Sequence, residues 1–226
     1  MYNIIKHVTP LFLITILCAC TLSGANVNVL VEEYETDDEC VYVERTSISG
    51  LSDKEFENKI NTSLDEVVNS KIKSFLKNSQ DAKQRRNGKA KLDISQEVKY
   101  DKNSVLSVVG ECFEFTEGFN GKNTRIVKNI NTNTNCELYL SDIFCDEKYV
   151  DMLNSRLEKM SRQAEYSDLW EKPIITDAQN EYFYFNDKGI VIFYPPYELS
   201  YYARGFVEFV IPYEDLYGYL KPEYVF

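Results

Sequence analysis

The chain has 226 residues, 36 acidic and 25 basic side chains, and a formal net charge of -11. At about 100–200 residues per domain, this length predicts one domain or two closely joined halves. A hydrophobic fraction of 44%, with 17 Tyr and 13 Phe, is enough for a core and excludes general disorder. The acidic balance argues against nucleic acid as a partner, because phosphate binding needs clustered Lys and Arg, and it favours a cationic protein or surface.

The first 19 residues predict a lipoprotein signal peptide. A short start containing Lys6 precedes an apolar run from Pro10 to Ala19, which is well below the roughly 20 residues of a spanning helix. The run ends at Ala19-Cys20 in a pattern that resembles a bacterial lipobox, and an ordinary signal peptide cut elsewhere is the alternative. Cleavage before Cys20 would leave a cysteine that carries acyl chains such as palmitate, so we predict an extracytoplasmic protein held to a membrane by a lipid anchor.

Removal of this segment limits the chemistry of the mature chain, because His7 is the only histidine. Imidazole acid–base catalysis, Ser-His-Asp and Cys-His arrangements and His-ligated zinc are then excluded. Glu111 and Glu114 resemble the paired carboxylates of a glycosidase, but acidic residues are abundant and nothing in the sequence brings these two together. The acidic run 37–39 lacks the ligand spacing of a calcium loop. We therefore expect no catalytic residues, no metal and no cofactor.

Four further cysteines are disulfide candidates: Cys40, Cys112, Cys136 and Cys145. An even number in an exported chain suggests two disulfides, with three alternative connectivities. We favour Cys136 with Cys145 and Cys40 with Cys112, and buried free thiols are the alternative.

The N-terminal half of the mature chain predicts a strand, a long helix and three further strands. Residues 20–39 are polar and acidic and predict a tether. A strand from Cys40 to Ile48 follows, and Ser52 with Glu55 forms a capping box that opens a helix running to about Lys77. Strands at 91–100, 104–116 and 124–130 are joined by short turns, which is typical of an antiparallel meander.

The C-terminal half predicts a second helix over 147–165, a hairpin of 181–185 with 189–194, a strand at 206–211 and a short helical segment within 214–220. These elements indicate an α+β fold, with an antiparallel β-sheet and two helices packed on one face. We place the folded domain at 40–226, with halves at 40–145 and 146–226.

The most unusual stretch runs from Tyr194 to Gly205 and concentrates aromatic rings, a carboxylate and an arginine in a loop that begins with two prolines. Aromatic rings with polar tips present a large contact area at low entropic cost, which suits the binding of protein or sugar. Packing of these rings onto the sheet is the alternative. The candidate ligand-binding residues are Tyr197, Glu198, Tyr201, Tyr202 and Arg204.

The same region carries a family resemblance. The hairpin 183–193, followed by Pro196-Tyr197-Glu198-Leu199, Tyr202-Ala203-Arg204-Gly205 and residues 210–213, resembles the extracellular domain of the RsiV-type anti-sigma factors, which sense lysozyme. That domain of unknown function also occurs beside peptidoglycan deacetylase domains. One departure is Asn120, which stands in a turn where the family commonly has histidine, so a function that depends on that histidine is in doubt.

The resemblance implies a non-enzymatic envelope lipoprotein that binds a protein or a cell-wall ligand. Lysozyme is a specific candidate, because its basic character complements an acidic chain, and peptidoglycan is another. The alternatives are an enzyme or accessory domain acting on peptidoglycan glycan, and a structural envelope component. Resemblance of fold alone does not decide between them.

Overall fold

The structure is a computed structural model that describes residues 15–18, 26–85 and 87–225. The predicted cleavage point and Cys20 lie outside the described residues. Within them the chain forms two β-sheets and three α-helices, which confirms the predicted α+β class.

The larger sheet has seven strands in the order of the chain. They are β1 (Thr15–Cys18), β2 (Asn26–Glu35), β3 (Glu39–Ser49), β4 (Ala90–Lys102), β5 (Val105–Phe115), β6 (Lys122–Asn131) and β7 (Cys136–Glu137). The smaller sheet has the order β10-β9-β8. Its strands are β8 (Phe183–Asn186), β9 (Gly189–Tyr194) and β10 (Val207–Pro212), and the helices are α1 (Lys54–Ala82), α2 (Lys148–Ser161) and α3 (Tyr213–Leu216).

The chain divides into two compact units. Among the described residues, the first unit holds 15–18, 26–85, 87–96 and 110–126, and the second holds 97–109 and 127–225. Strands β4, β5 and β6 each supply residues to both units.

The first unit is organised around helix α1. Asp53, rather than the predicted Ser52, caps this helix by accepting hydrogen bonds from the backbone N–H groups of Glu55 and Phe56. Helix α1 buries one apolar stripe, in which Val68 and Phe75 pack with residues of β3 and β4. Strands β3 and β4 pair in parallel, which departs from the predicted wholly antiparallel sheet, because the long helix between them returns the chain to the same edge as a crossover.

Residues 26–35 differ from the prediction of a tether over 20–39, since they form strand β2 and pair antiparallel with β3. The acidic side chains tolerate this position because neighbouring cations pair with them. Arg45 lies 3.0 Å from Glu32, and Lys89 lies 2.6 Å from Glu35. Strand β1 pairs with residues 27–30 of β2 and belongs to the predicted leader, so cleavage before Cys20 would remove it.

The second unit holds the larger apolar cluster, in which α2 packs against the smaller sheet. Leu153 and Leu157 of α2 are fully buried in the same cluster as Phe209 and Ile211 of β10. Helix α1 thus packs with β3 and β4 in the first unit, and α2 packs with β10 in the second. The apolar stripe of each helix packs on different strands, because α1 is followed in the chain by β4 whereas α2 is followed by the hairpin of β8 and β9.

A buried hydrogen-bond relay in the second unit closes the outer edge of β8. The Phe185 N–H donates to Ser107 Oγ at 3.1 Å, and the Ser107 hydroxyl donates to Asn129 Oδ1 at 2.5 Å. The Asn129 amide in turn donates to the Phe183 carbonyl at 2.9 Å. Two backbone groups of an edge strand are thus satisfied by side chains from β5 and β6, with Ser107 0% and Asn129 3% exposed.

The four cysteines of the predicted disulfides are free thiols, so neither predicted disulfide is formed. Cys40 on β3 and Cys112 on β5 are separated by β4, so their backbones are at least two strand spacings, about 10 Å, apart, beyond the roughly 7 Å that a disulfide spans. Cys136 lies 3.0 Å from the hydroxyl of Thr134, and Cys145 donates to the Leu220 carbonyl at 3.2 Å.

Replacing Asn129 with alanine should lower the free energy of unfolding by about 2–3 kcal/mol, because the Phe183 carbonyl and the Ser107 hydroxyl both lose a buried partner. Asn133→Ala is the matched control, since Asn133 is exposed on the turn that follows the same strand, and should change it by less than about 0.5 kcal/mol. Urea unfolding of both variants measures the difference. Equal stabilities would show that the relay contributes little.

Candidate ligand-binding surface

The loop between β9 and β10 begins with a tight turn that displays Tyr197. The Glu198 N–H donates to the Pro195 carbonyl at 3.2 Å, which closes a four-residue turn. Pro196 at its second position has a fixed negative φ, and Tyr197 at the third position has a φ of 72°, so the turn is of type II. Glycine normally occupies that third position. A tyrosine there holds strained backbone, which structures usually retain where the side chain has a role.

The rest of the loop is fixed from below by buried residues. Leu199 is 3% exposed, and the Ser200 hydroxyl lies 3.1 Å from the carbonyl oxygen and 3.0 Å from the carboxylate of Asp168. The loop ends at Gly205, whose φ of 73° needs glycine even though a Cβ would meet no atom within 4 Å. The rings that this loop displays are therefore held on an ordered backbone.

Three tyrosines of the predicted site lie on this loop. The rings of Tyr197 and Tyr202 are in contact, with centroids 5.6 Å apart and planes tilted by 34°. Tyr197 is 59% exposed and Tyr201 is 50% exposed. The alternative of rings packed onto the sheet does not describe Tyr197 or Tyr201, which face solvent.

Sequence reasoning missed Trp170, the only tryptophan of the chain. Its backbone N–H donates to the Leu199 carbonyl at 3.0 Å, and its indole N–H donates to the Glu198 carbonyl at 3.3 Å. The ring is nevertheless 54% exposed. The segment after α2 thus adds a fourth aromatic side chain to the loop, and the isolated tryptophan in an irregular stretch is the only sequence signal for it.

Arg204 is turned away from the exposed rings and holds the segment after α2. Its guanidinium donates to the Glu165 carbonyl at 2.8 Å and lies 3.8 Å from the Asp168 carboxylate. Its central carbon lies 5.9 Å from the ring centroid of Tyr166. This arginine is a positioning residue, because its donors already face groups of the protein.

The carboxylate of Glu198 has a different environment from those of Glu57 and Glu158. No cation pairs with it anywhere in the described part of the chain, and partial burial raises its pKa, an effect that the nearby Gln179 side chain only partly offsets. By contrast, neighbouring Lys or Arg side chains lower the pKa values of Glu57 and Glu158. Glu198 is thus a partly desolvated carboxylate without a counter-charge.

The remaining sequence candidates lie elsewhere. Glu111 and Glu114 are three positions apart on β5 and therefore point to opposite faces. Glu111 pairs with Arg125 at 2.5 Å, and Glu114 accepts from Asn78 at 2.9 Å. No group of three or more metal-ligating side chains occurs among the described residues.

The surface thus combines exposed rings with an unpaired carboxylate on an α+β module, which is typical of a binding protein. Residues 141–214, which include the whole loop and Trp170, match the family model DUF3298, a protein family of unknown function. The chain is also 26% identical over 188 residues to the anti-sigma-V factor RsiV of Bacillus subtilis (strain 168). The resemblance to RsiV-like proteins is confirmed. The match covers 79% of this chain but only 64% of RsiV, so the chain spans less than two thirds of that relative.

Solved structures of DUF3298 proteins share the fold. A member from Bacteroides fragilis NCTC 9343 aligns with a TM-score of 0.66 at 18% identity, covering 90% of this chain and 96% of that one. A member from Pseudomonas aeruginosa PAO1 aligns with a TM-score of 0.61 at 13% identity, covering 87% and 94%.

The strain at Tyr197 has a direct test in two variants that both remove the ring. Tyr197→Gly should be about 1 kcal/mol more stable to unfolding than Tyr197→Ala, because glycine adopts positive φ without steric cost whereas alanine retains the strain. Thermal or urea unfolding of the pair measures the difference. An alanine variant as stable as the glycine variant would mean that the turn is not strained at this position.

Proposed function

We propose that this protein is a non-enzymatic, lipid-anchored envelope protein that captures a basic protein through the loop 195–205 and Trp170. The proposal is carried by two adjacent residues of one exposed turn. Tyr197 has a strained backbone and Glu198 has a partly desolvated carboxylate, and buried contacts hold the backbone of both. Strain and desolvated charge both oppose folding stability. Their presence at one exposed turn favours a role in recognition.

Charge supports a cationic partner. The chain has a formal net charge of -11, and the arginine of the loop is engaged by Glu165 and Asp168. A cationic protein would be attracted at long range and would meet an unpaired carboxylate at short range.

Lysozyme is the candidate partner because of the RsiV-like resemblance, since RsiV-type domains sense it. This chain need not act as an anti-sigma factor, because it aligns with only part of RsiV. No helix among the described residues is both long enough and apolar enough to cross a bilayer. Anchoring through Cys20 is the route to the membrane that the sequence supports.

Binding can be measured by biolayer interferometry with the domain immobilised and hen lysozyme in solution at about 0.15 M salt. Tyr197→Ala and Trp170→Ala should each weaken binding about 30-fold, as expected for aromatic residues at the centre of an interface. Phe119→Ala is the matched control, because Phe119 is a fully exposed aromatic in the first unit and should leave affinity unchanged. Absence of binding by the wild-type protein would remove lysozyme as the partner, and co-sedimentation with insoluble peptidoglycan would then favour the wall ligand.

The anchor is tested separately in cells. Palmitate labelling should mark the wild-type protein and leave Cys20→Ser unlabelled, because the cysteine sulfur is the acylated atom. Cys136→Ser, at another exposed cysteine, is the control and should remain labelled. Recovery of unlabelled wild-type protein in the cytosolic fraction would contradict the anchoring.

A further inference from the structure

The side chain of Glu198 is exposed on the loop, and none of the cations among the described residues pairs with it. Two other carboxylates of the second unit have partners. Glu158 lies 2.5 Å from Arg162 and 2.9 Å from Lys172, and Asp168 is held by Ser200 and Arg204. A carboxylate that is partly removed from water is stabilised when a cation supplies the missing interaction.

Two exposed aromatic side chains, Tyr197 and Trp170, lie next to the backbone of Glu198. Tyr197 directly precedes Glu198 and is supported by the ring of Tyr202, while the indole of Trp170 is hydrogen-bonded to the Glu198 carbonyl. The exposed faces of tryptophan and tyrosine attract cations, and they attract the flat guanidinium group most effectively.

One arginine of this chain already lies between an aromatic ring and a carboxylate. The guanidinium of Arg204 lies over the ring of Tyr166 and next to the carboxylate of Asp168. Arg204 is committed to that position by its hydrogen bond to the Glu165 carbonyl, so it does not neutralise Glu198.

We propose that Glu198, Trp170 and Tyr197 form a subsite that receives one arginine side chain of the protein partner, with the carboxylate as counter-charge and the two rings as walls. This inference rests on the proposed function and specifies its chemistry. Lysine would bind the same subsite more weakly, because an ammonium group neither stacks nor pairs in two-pronged geometry with a carboxylate.

Trp170 gives a direct reporter, since it is the only tryptophan in the chain. Titration with N-acetyl-arginine amide at constant ionic strength should produce a saturable change in its fluorescence. The citrulline analogue has the same shape without the charge and should produce none. Equal responses to the two compounds would overturn the arginine subsite.

Matched variants separate local pairing from overall charge. Glu198→Gln should weaken binding of the arginine amide about tenfold, as expected for loss of a charged hydrogen-bond partner. Glu171→Gln removes the same charge from the exposed residue beside Trp170 and should weaken binding less than twofold. Equal losses in the two variants would assign the effect to net charge and overturn the subsite.

The melting temperature of Glu198→Gln tests whether Glu198 has a structural role. Because burial raises the carboxyl pKa, the ionised form is disfavoured in the folded state above that pKa. Glu198→Gln should therefore melt at pH 7 at the same temperature as the wild type or above it. A lower melting temperature would mean that the carboxylate supports the fold, which would overturn its assignment to ligand binding.

The outcomes for the subsite and for the proposed function are distinguishable. Binding of lysozyme with no response to the arginine amide would overturn the subsite and leave the proposed function standing. A charge-dependent response to the arginine amide without lysozyme binding would support the subsite and remove lysozyme as the partner.

Discussion

The outer edge of strand β8 is closed by side chains rather than by another strand, and the second unit depends on this constraint. Ser107 and Asn129 satisfy the N–H of Phe185 and the carbonyl of Phe183, which would otherwise be buried without partners. Since β8 pairs with β9 and β9 pairs with β10, the relay also fixes the two strands from which the loop 195–205 extends. The display of Tyr197 and Glu198 thus depends on two small polar residues far from them in sequence.

The exposed loop 195–205 differs from the buried relay, because two of its residues do not favour folding. Tyr197 has a backbone conformation that glycine would adopt more easily, and Glu198 keeps a carboxylate where burial disfavours its charge. Either feature alone would be a modest cost to stability. Together, on a turn whose following residues are buried and hydrogen-bonded, they indicate that the surface is shaped for a partner rather than for folding.

Much of the fold follows from the sequence because its signals are local. The apolar stripe of α1, the hairpin of β8 and β9, and the positions of β4 to β6 depend on periodicity and turn residues, which neighbouring residues specify. The division of the helices between two sets of strands depends on long-range packing and has no local signal. The sequence predicts a tether where β2 lies because its glutamates are typical of a solvated segment, whereas their pairing with Arg45 and Lys89 arises only in the fold. The rings of the loop were recognised from composition, whereas Trp170 reaches them only through the fold.

Hydrogen–deuterium exchange of the whole domain, alone and saturated with hen lysozyme, tests the central claim most directly. Protection on binding should be confined to peptides covering 165–174 and 195–206, because the proposed surface lies there. Protection of the turn 116–122 instead, or of no peptide at all, would contradict the assignment of this loop as the binding surface.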